Sequence, residues 1–333
     1  MSQLRQDLAT REWVIIATDR AKRPKDFTEK ETEVRETASA NCPFCEGNES
    51  VTPPEVLAYR EPGTKPDEPG WRVRVIPNKF PALMPAGSEL RKKQGIYQTM
   101  DGLGEHEVLV ETPQHNKTIG TMEVSEVEEV ILTYRDRYIA LNQDRKFMLV
   151  TIFRNHGKRA GTSLSHPHSQ LIATPVVPAN VRYRLEEALR YYDYNGQCVH
   201  CDMLRHELKS KDRLVLENED YVAFEPFTSQ SPFETWIMPR RHESSFGNVG
   251  GREIKTLAEV LRETLAKLYR SLNDPDYNYI IRTAPHHEAG EPHYHWHIQI
   301  LPRLTTRAGF EIGSGIYINT AYPEETAEFL RNA

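Results

Sequence analysis

Cysteine is scarce in this chain of 333 residues, since it has only four, and all of them belong to two Cys-x-x-Cys pairs. None is left to link distant loops by disulfides, so we expect a reducing, cytoplasmic setting. No apolar run approaches the roughly 20 residues of a membrane span. The opening residues, MSQLRQDLATREW, also lack the apolar stretch of a signal peptide. A membrane or secreted protein is therefore not expected.

Basic patches and glycine-rich nucleotide loops are lacking too. The net charge is −6, and no stripe of basic residues with interleaved aromatics stands out, so nucleic acid is not an expected partner. Without a Walker or dinucleotide-binding glycine motif, kinase and dehydrogenase chemistry have no support in the sequence. With 38% hydrophobic and 27% charged residues, the chain is typical of a globular protein long enough for two domains.

What the chain has instead is one ligand pattern that occurs twice. Each copy holds a Cys-x-x-Cys pair, a lone histidine further on, and then a His-x-His-x-Gln string. The pairs are 42–45 and 198–201, the lone histidines His115 and His242, and the strings 166–170 and 295–299. Internal duplication of this kind predicts two related halves, each with its own metal site.

The donor types predict zinc, because two thiolates and two neutral imidazoles balance the charge of Zn²⁺ and complete its tetrahedron. The predicted ligands are Cys42, Cys45, His115 and His166 in the first site, and Cys198, Cys201, His242 and His295 in the second. Four protein ligands leave no open position, so both sites are predicted to be structural, with iron as an alternative at the second. A redox Cys-x-x-Cys or a loop disulfide competes with this interpretation, and His293 competes with His295.

Strand-like alternation and helix-like periodicity follow the same order in both halves. The predicted strands include 71–77, 106–112, 147–153 and 234–239, and the predicted helices are 122–143, 181–196 and 252–273. Ser125 and Glu128 are typical of a capping box for the first helix, and Gly196 of the end of the second. The predicted class is α+β, with two units, 1–178 and 179–333, that each consist of an antiparallel sheet and a packed long helix.

His168 is the predicted nucleophile. If His166 binds metal, His168 lies two residues further along a strand and shares its face, as does Gln170. A ring held by a metal-bound strand is preorganised for covalent catalysis, and neutral imidazole is a good nucleophile toward phosphorus. Gln170 is predicted to donate to a phosphoryl oxygen where negative charge develops.

The segment before this strand is suited to a polyphosphate, since it supplies cationic and small residues: Arg154, Asn155, Lys158, Arg159, Gly161 and Ser163. A second basic cluster near the start contains Arg20, Lys22 and Arg23. In the second copy His297 stands in the place of His168, but its neighbours are apolar and no such turn precedes it. We therefore expect a single working nucleophile, His168.

These motifs resemble the galactose-1-phosphate uridylyltransferase family of the histidine-triad superfamily. The matching stretches cover nearly the whole chain and include RAKRP, NCPFC, NKFPALM, PQHNKT, NHGKRAGTSLSHPHSQ, PFETWIMPRRH and HWHIQILP. The resemblance implies two fused histidine-triad-like halves and a homodimer. It also implies ping-pong transfer, in which His168 attacks the α-phosphorus of UDP-glucose and galactose 1-phosphate then accepts the uridylyl group.

By motif position, the resemblance implies nucleotide and phosphate contacts from Arg20, Arg23, Asn78, Asn155, Gly161, Ser163 and Gln170. The hexose-contacting segment corresponds to 309–319, which implies Gly309, Phe310 and Ile312 as further substrate-binding residues.

Two departures separate this chain from some members of the family. Arg184 and Thr283 stand where those members carry metal ligands, and Ser314 and Gly315 replace a Tyr-Glu pair. Together with the second Cys-x-x-Cys pair, these features resemble the ADP-glucose phosphorylases, which transfer an adenylyl group to phosphate.

The leading function is thus a nucleotidyltransferase, UDP-glucose:hexose-1-phosphate uridylyltransferase, whose partners are a nucleotide sugar and a sugar phosphate. An ADP-glucose phosphorylase is the nearest alternative. A histidine-triad hydrolase that releases nucleotide to water, and a zinc-stabilised binding protein without turnover, are two further alternatives.

Overall fold

A computed structural model of the chain describes residues 2–17, 23–28 and 39–333. The strands are β1 (Gln3–Gln6), β2 (Trp13–Ile16), β3 (Leu57–Arg60), β4 (Trp71–Pro77), β5 (Lys92–Gln94), β6 (Tyr97–Thr99), β7 (Glu105–Val110), β8 (Leu149–His156), β9 (His168–Thr174), β10 (Leu214–Glu217), β11 (Tyr221–Phe224), β12 (Thr235–Pro239), β13 (Tyr277–Arg282), β14 (His297–Pro302) and β15 (Tyr317–Asn319). The helices are α1 (Val124–Asn142), α2 (Ala179–Asn195), α3 (Val199–Ser210), α4 (Arg252–Leu272), α5 (Gly309–Ser314) and α6 (Pro323–Arg331). None of the helices in these residues is long and apolar enough to cross a bilayer.

Ten strands form one antiparallel sheet in the order β10-β11-β12-β14-β13-β8-β9-β7-β4-β3. The strands of the two ligand patterns meet in its middle, where β8 pairs with β13 from His156 opposite Tyr277 to Ile152 opposite Ile281. The predicted α+β class with antiparallel sheets is therefore confirmed. The division into units 1–178 and 179–333 stays a prediction, and the pairing of β8 with β13 was not foreseen.

Two long helices cover one face of this sheet. Helix α1 buries the predicted apolar face, and it packs beside α4 over the core. On β9, the hydroxyl of Ser169 lies 2.5 Å from the hydroxyl of Tyr134 on α1, which identifies the helix-covered face. Because side chains alternate along a strand, His168 and Gln170 lie on the opposite face.

The predicted capping box of α1 is wrong. The helix begins at Val124, and the Glu126 carboxylate accepts a hydrogen bond from the N–H of Glu123 at 2.8 Å. Lys117 lies 2.7 Å from the same carboxylate and holds it in place, so Ser125 falls within the first turn. The predicted end of α2 is correct, since Gly196 has φ +67°, which suits glycine.

Helix α3 was not predicted, although it determines how the second half differs from the first. It begins directly after Cys198 and packs on the second half of the sheet, where Leu204 joins a buried cluster with Trp236 and Met238. The ring of His200, in its first turn, lies 5.3 Å from the ring of His297. Helix α3 therefore covers the face of β14 that carries the counterpart of His168.

Candidate active site

The first predicted metal cluster is assembled in the structure. One donor atom from each of Cys42, Cys45, His115 and His166 lies within 4.8 Å of all the others. Cys45 Sγ is 3.4 Å from Nδ1 of His115 and 3.6 Å from Nδ1 of His166, and these two nitrogens are 3.3 Å apart. The opposite ring nitrogens face oxygens of Ser165 and Thr112 at 2.9 and 2.8 Å, so both rings turn Nδ1 toward the cluster.

The second cluster repeats this arrangement with Cys198, Cys201, His242 and His295. Cys201 Sγ lies 3.2 Å from Nδ1 of His242 and 3.4 Å from Nδ1 of His295. The competing candidate, His293, points instead toward the carboxylate of Glu288 at 3.7 Å. All four cysteines are free of disulfides.

The donor geometry fits a tetrahedral ion of the size of zinc. Bonds of about 2.3 Å to sulfur and about 2.0–2.1 Å to nitrogen place sulfur and nitrogen about 3.5 Å apart in a tetrahedron, and two nitrogens about 3.3 Å apart. The distances from Cys45 to His115 and His166 agree with these values. Burial lowers the pKa of His166 to about 4, so its ring is neutral, as a ligand must be. Both clusters could hold a metal ion.

His168 is presented as a neutral imidazole with one defined tautomer. It is the first residue of β9, is 7% exposed, and lies 2.8 Å through Nδ1 from the carbonyl oxygen of His166. A carbonyl oxygen only accepts, so Nδ1 carries the hydrogen and Nε2 carries the lone pair. Burial lowers the pKa of His168, although the hydrogen bond to His166 opposes this effect. The ring of Phe44, between the two cysteines, packs edge-on against His168 with centroids 5.4 Å apart.

Gln170 shares the face of His168 and is held by a residue that the sequence analysis missed. His106 on β7 lies 2.7 Å through Nε2 from Gln170 Oε1. Asn78, a predicted nucleotide-binding residue, lies 3.1 Å from the same nitrogen. Alternation along 106–112 predicts only which residues of that strand lie on the same face as His106. The contact with Gln170 depends on the pairing of β7 with β9, which the sequence does not reveal.

The turn after β8 is anchored by the second half of the chain. Gly157 has φ +83°, and a Cβ atom there would lie 2.0 Å from Asp276 Oδ1, so only glycine fits. Asp276 also accepts a hydrogen bond from the N–H of Arg159 at 2.7 Å. Gly161 and Ser163 are exposed in this turn, as a ligand-binding role requires.

Asn278 on β13 extends this anchoring to the strand itself. Its amide nitrogen donates to Asn155 Oδ1 at 2.7 Å and to the carbonyl oxygen of Ala160 at 2.8 Å. Asn155 and the turn are therefore fixed by a residue of the other half, which sequence reasoning did not find.

The prediction that Arg154 serves a polyphosphate is wrong. Arg154 is 2% exposed, and its Nε lies 2.9 Å from the carboxylate of Glu111. Its Nη1 donates to the hydroxyl of Tyr277 at 2.7 Å. Neighbouring side chains of a strand point to opposite faces, so Asn155 faces the site while Arg154 faces the helix-covered core.

The second half buries the counterpart of the nucleophile. His297 is 2% exposed, and the ring of Trp236 stacks on it with centroids 4.4 Å apart. Its Nε2 atom is buried without a hydrogen-bond partner among the described residues. Trp236 thus stacks on His297 from the register position that Val108 has in the first half, and His200 lies beside His297 as Phe44 lies beside His168.

The remaining predicted residues make no hydrogen bond or ring contact with His168 in the described ranges, or lie outside these ranges. Arg20 and Lys22 lie outside the described residues, and Arg23 is exposed. In α5, Gly309 is exposed, as are Phe310 at 52% and Ile312 at 74%. Within the described ranges, no hydrogen bond or ring contact joins α5 to His168 or Gln170.

The two residues of the first departure, Arg184 and Thr283, have other contacts. Arg184 lies 3.9 Å from the carboxylate of Glu12, and Thr283 accepts a hydrogen bond from the N–H of Phe246 at 3.0 Å. Neither belongs to a metal cluster of the described residues.

Sequence comparison assigns both halves. The family described as "Galactose-1-phosphate uridyl transferase, N-terminal domain" matches residues 1–178, and the corresponding C-terminal domain matches residues 182–329. An ADP-glucose phosphorylase from Arabidopsis thaliana is 37% identical over 334 residues, which covers 99% of this chain and 92% of that protein. A galactose-1-phosphate uridylyltransferase from Thermotoga maritima is 29% identical over 341 residues, which covers 99% of this chain and 98% of that protein.

Structural comparison agrees. The crystal structure of an ADP-glucose phosphorylase from Arabidopsis thaliana with bound ADP-glucose superposes with a TM-score of 0.83 at 34% identity, over 100% of this chain and 99% of that one. A uridylyltransferase structure superposes with a TM-score of 0.76 at 27% identity, over 100% and 98%. As the sequence motifs predicted, the chain belongs to the galactose-1-phosphate uridyl transferase family, whose members are nucleotidyltransferases.

Proposed function

We propose that this chain transfers a nucleotidyl group from a nucleotide sugar to a phosphate-bearing acceptor through a covalent nucleotidyl-His168. The observation that carries the proposal is the hydrogen bond from His168 Nδ1 to the carbonyl oxygen of His166. It commits the hydrogen to Nδ1 and leaves the Nε2 lone pair for attack on phosphorus, which is the requirement for covalent catalysis by imidazole.

In the first half-reaction, His168 Nε2 forms a bond to the α-phosphorus of the nucleotide sugar. The bond from that phosphorus to the bridging oxygen breaks, and the sugar 1-phosphate leaves with the electron pair. In the second half-reaction an oxygen of the acceptor phosphate attacks the same phosphorus, and the P–N bond breaks to restore neutral His168. The resulting reaction is ping-pong, with one covalent intermediate.

The polar groups beside His168 would stabilise the charge that develops on the phosphoryl oxygens. Gln170 follows two residues along the same strand face, and Asn155 lies on the neighbouring strand β8. Carboxamide N–H groups that are fixed before the reaction stabilise such charge without reorganisation. The exposed turn at Gly161 and Ser163 supplies further room for the phosphates.

The two metal clusters would have a structural role. The first cluster would hold one zinc ion and the second another, since each offers two thiolates and two imidazoles. A metal ion at the first cluster would connect the Cys42–Cys45 turn to His166, two residues before the nucleophile at the start of β9. Two copies of the chain would form a homodimer, as the family resemblance implies.

ADP-glucose is the proposed donor, and inorganic phosphate the proposed acceptor. The support is the 37% identity to an ADP-glucose phosphorylase over almost the whole chain, together with the second Cys-x-x-Cys cluster and the absence of metal ligands at Arg184 and Thr283. The products would be ADP and glucose 1-phosphate.

UDP-glucose with galactose 1-phosphate is the second candidate pair. It is favoured by the 29% identity to a galactose-1-phosphate uridylyltransferase over 99% of this chain. The two pairs share the covalent step at His168 and differ only in base and acceptor.

The test is covalent labelling with nucleotide sugars that carry radioactive phosphorus in the α-phosphate. Wild-type protein should retain one label per chain after denaturation, and His168→Ala should retain none. His297→Ala is the matched control in the second half and should label fully. Persistent labelling of His168→Ala would overturn the assignment of the nucleophile.

An exchange assay identifies the substrates. ADP-glucose or UDP-glucose is incubated with phosphate or galactose 1-phosphate, and the pair with the highest turnover is the physiological type. Release of nucleotide at full rate without any acceptor would identify a hydrolase instead. Tight binding with neither labelling nor exchange would identify a binding protein.

A further inference from the structure

The carboxamide of Gln170 is oriented by His106. The backbone N–H of Ala82 donates to His106 Nδ1 at 3.1 Å, so this nitrogen carries the lone pair and Nε2 carries the hydrogen. His106 Nε2 then donates to Gln170 Oε1 at 2.7 Å. Asn78 Nδ2, which can only donate, also lies 3.1 Å from His106 Nε2, but the single lone pair of the neutral ring is on Nδ1 and is taken by Ala82 N–H, so Nε2 accepts nothing from Asn78. The oxygen of Asn78 accepts from Phe80 N–H and does not compete with Gln170.

This chain of hydrogen bonds starts from a group that can only donate and therefore has one direction. It ends by engaging the oxygen of Gln170. The amide nitrogen of Gln170 makes no hydrogen bond within the described ranges of the chain. Its two N–H groups are thus left to a ligand on the face of His168.

The carboxamide of Asn155 is oriented in the same sense by Asn278. Arg303 Nε, which can only donate, lies 2.5 Å from Asn278 Oδ1. Asn278 Nδ2 is thereby directed to two acceptors, the carbonyl oxygen of Ala160 and Asn155 Oδ1. The amide nitrogen of Asn155 has no partner in the part of the chain that is described.

The second half shows what happens when the orienting residue is an acceptor. In the sheet register, Gln299 corresponds to Gln170, and Glu234 takes the position of His106. The carboxylate of Glu234 accepts from Gln299 Nε2 at 2.7 Å. The carboxamide of Gln299 therefore has the opposite orientation to that of Gln170, and its N–H group donates to the protein.

The oxygen of Gln299 is engaged as well. Arg282, in the register position that Asn155 has in the first half, donates to Gln299 Oε1 at 3.0 Å. Both ends of this carboxamide are thus satisfied internally. Among the described residues, only the first half keeps a carboxamide donor without a hydrogen bond beside its His-x-His histidine.

We propose that His106 and Asn278 are positioning residues for nucleotidyl transfer, because they fix the amides of Gln170 and Asn155 with the oxygens inward and the N–H groups toward the reacting phosphoryl group. The proposal rests on the proposed function at His168. It assigns the second half of the chain a part in catalysis, since Asn278 belongs to β13.

A double-mutant cycle tests whether His106 acts through Gln170. His106→Met removes the donor without adding charge, and it should slow covalent labelling by roughly 10- to 100-fold while the affinity for the nucleotide sugar changes little. His106→Gln restores an amide N–H and should recover most of that loss. In a Gln170→Ala background, His106→Met should cost nothing further.

The same cycle applies to Asn278 and Asn155, with Asn278→Ala and Asn155→Ala as the single variants. Glu234→Gln changes the residue that has the position of His106 in the second half. This control variant should leave the rate of labelling unchanged. A purely structural role for His106 or Asn278 predicts additive losses in the double variants, with lowered melting temperatures that follow the losses in rate. Additive losses would overturn the proposal.

If the proposed function itself is wrong, no nucleotide sugar will label the wild-type protein. If only the positioning roles of His106 and Asn278 are wrong, the wild-type protein will still be labelled. Nuclear magnetic resonance of ¹⁵N-histidine protein tests the orientation without activity, with His106→Gln to assign the signal. The expected signal of His106 is that of the tautomer with hydrogen on Nε2. The tautomer with hydrogen on Nδ1 would overturn the proposal in either case.

Discussion

The ring of Phe44 packs edge-on against the ring of His168, with centroids 5.4 Å apart and an angle of 61° between the ring planes. Phe44 also meets His166 edge-on at 6.1 Å. Phe44, one of the two residues between the cysteines of the first cluster, is therefore in direct contact with the candidate nucleophile. This contact connects metal ligation with the orientation of the reactive ring.

Phe44→Ala should slow the formation of nucleotidyl-His168 while the protein retains its metal. A reactive group displaced by about 1 Å can lose roughly 100-fold in rate, so we expect a decrease between about 10- and 100-fold. Labelling kinetics measure the rate, and elemental analysis measures the metal. His200→Ala, at the same place in the second Cys-x-x-Cys pair, should leave the rate unchanged. Equal rates for Phe44→Ala and wild type would show that the contact has no role.

The two clusters should respond differently to loss of a ligand. Cys45→Ala and Cys201→Ala should each reduce the content from two zinc ions per chain to one, as four-ligand structural sites predict. Only Cys45→Ala should abolish labelling, because His168 follows a ligand of the first cluster by two residues. Cys201→Ala should label but unfold at a lower temperature. If Cys201→Ala were folded and unlabelled, the second cluster would have a direct part in the reaction.

The metal clusters and strand β9 could be predicted because the same pattern of cysteines and histidines occurs twice in the sequence. The repeated spacing identifies His115 and His242 among 13 histidines, and strand periodicity then places His168 and Gln170 on one face. The buried face of α1 was predictable for a similar reason, since a period of 3.6 residues is visible within one segment.

The orientation of β8 could not be predicted. Its sequence, LVTIFRNH, has apolar residues on both faces, so alternation does not show whether Arg154 or Asn155 points to the core. Only the pairing with β9 and β13 decides this. The contact between Asn155 and Asn278 joins residues 123 positions apart, and no local pattern connects them.

Arg154→Met should destabilise the protein by about 3–5 kcal/mol, because it leaves the buried carboxylate of Glu111 without its charged partner. Replacement of both partners, as in Arg154→Met with Glu111→Leu, should recover much of this loss. Chemical denaturation measures both. If Arg154 bound a substrate phosphate, the single variant would lose affinity for the nucleotide sugar at unchanged stability.

The carboxyl group of Glu225 should make stability depend on pH. Burial raises its pKa well above the ordinary value of 4.5, Thr326 partly opposes this effect through a hydrogen bond, and the charges of Glu234 and Glu324 add to it. One carboxyl oxygen, Oε1, is buried and has no hydrogen-bond partner among the described residues. The folded protein therefore holds a proton here that the unfolded chain releases at a lower pH.

The sign follows from this difference in proton binding. The stabilising contribution of protonated Glu225 is fully present below the unfolded pKa near 4.5 and is lost as the pH rises toward the higher folded pKa. Glu225→Gln keeps the side chain neutral at every pH, so its stability relative to wild type should increase from pH 6 to pH 8.5. Denaturation of both proteins across this range measures the difference, in which the titration of all other groups largely cancels. A difference that stays constant, or that decreases with pH, would mean that Glu225 is ionised in the folded protein.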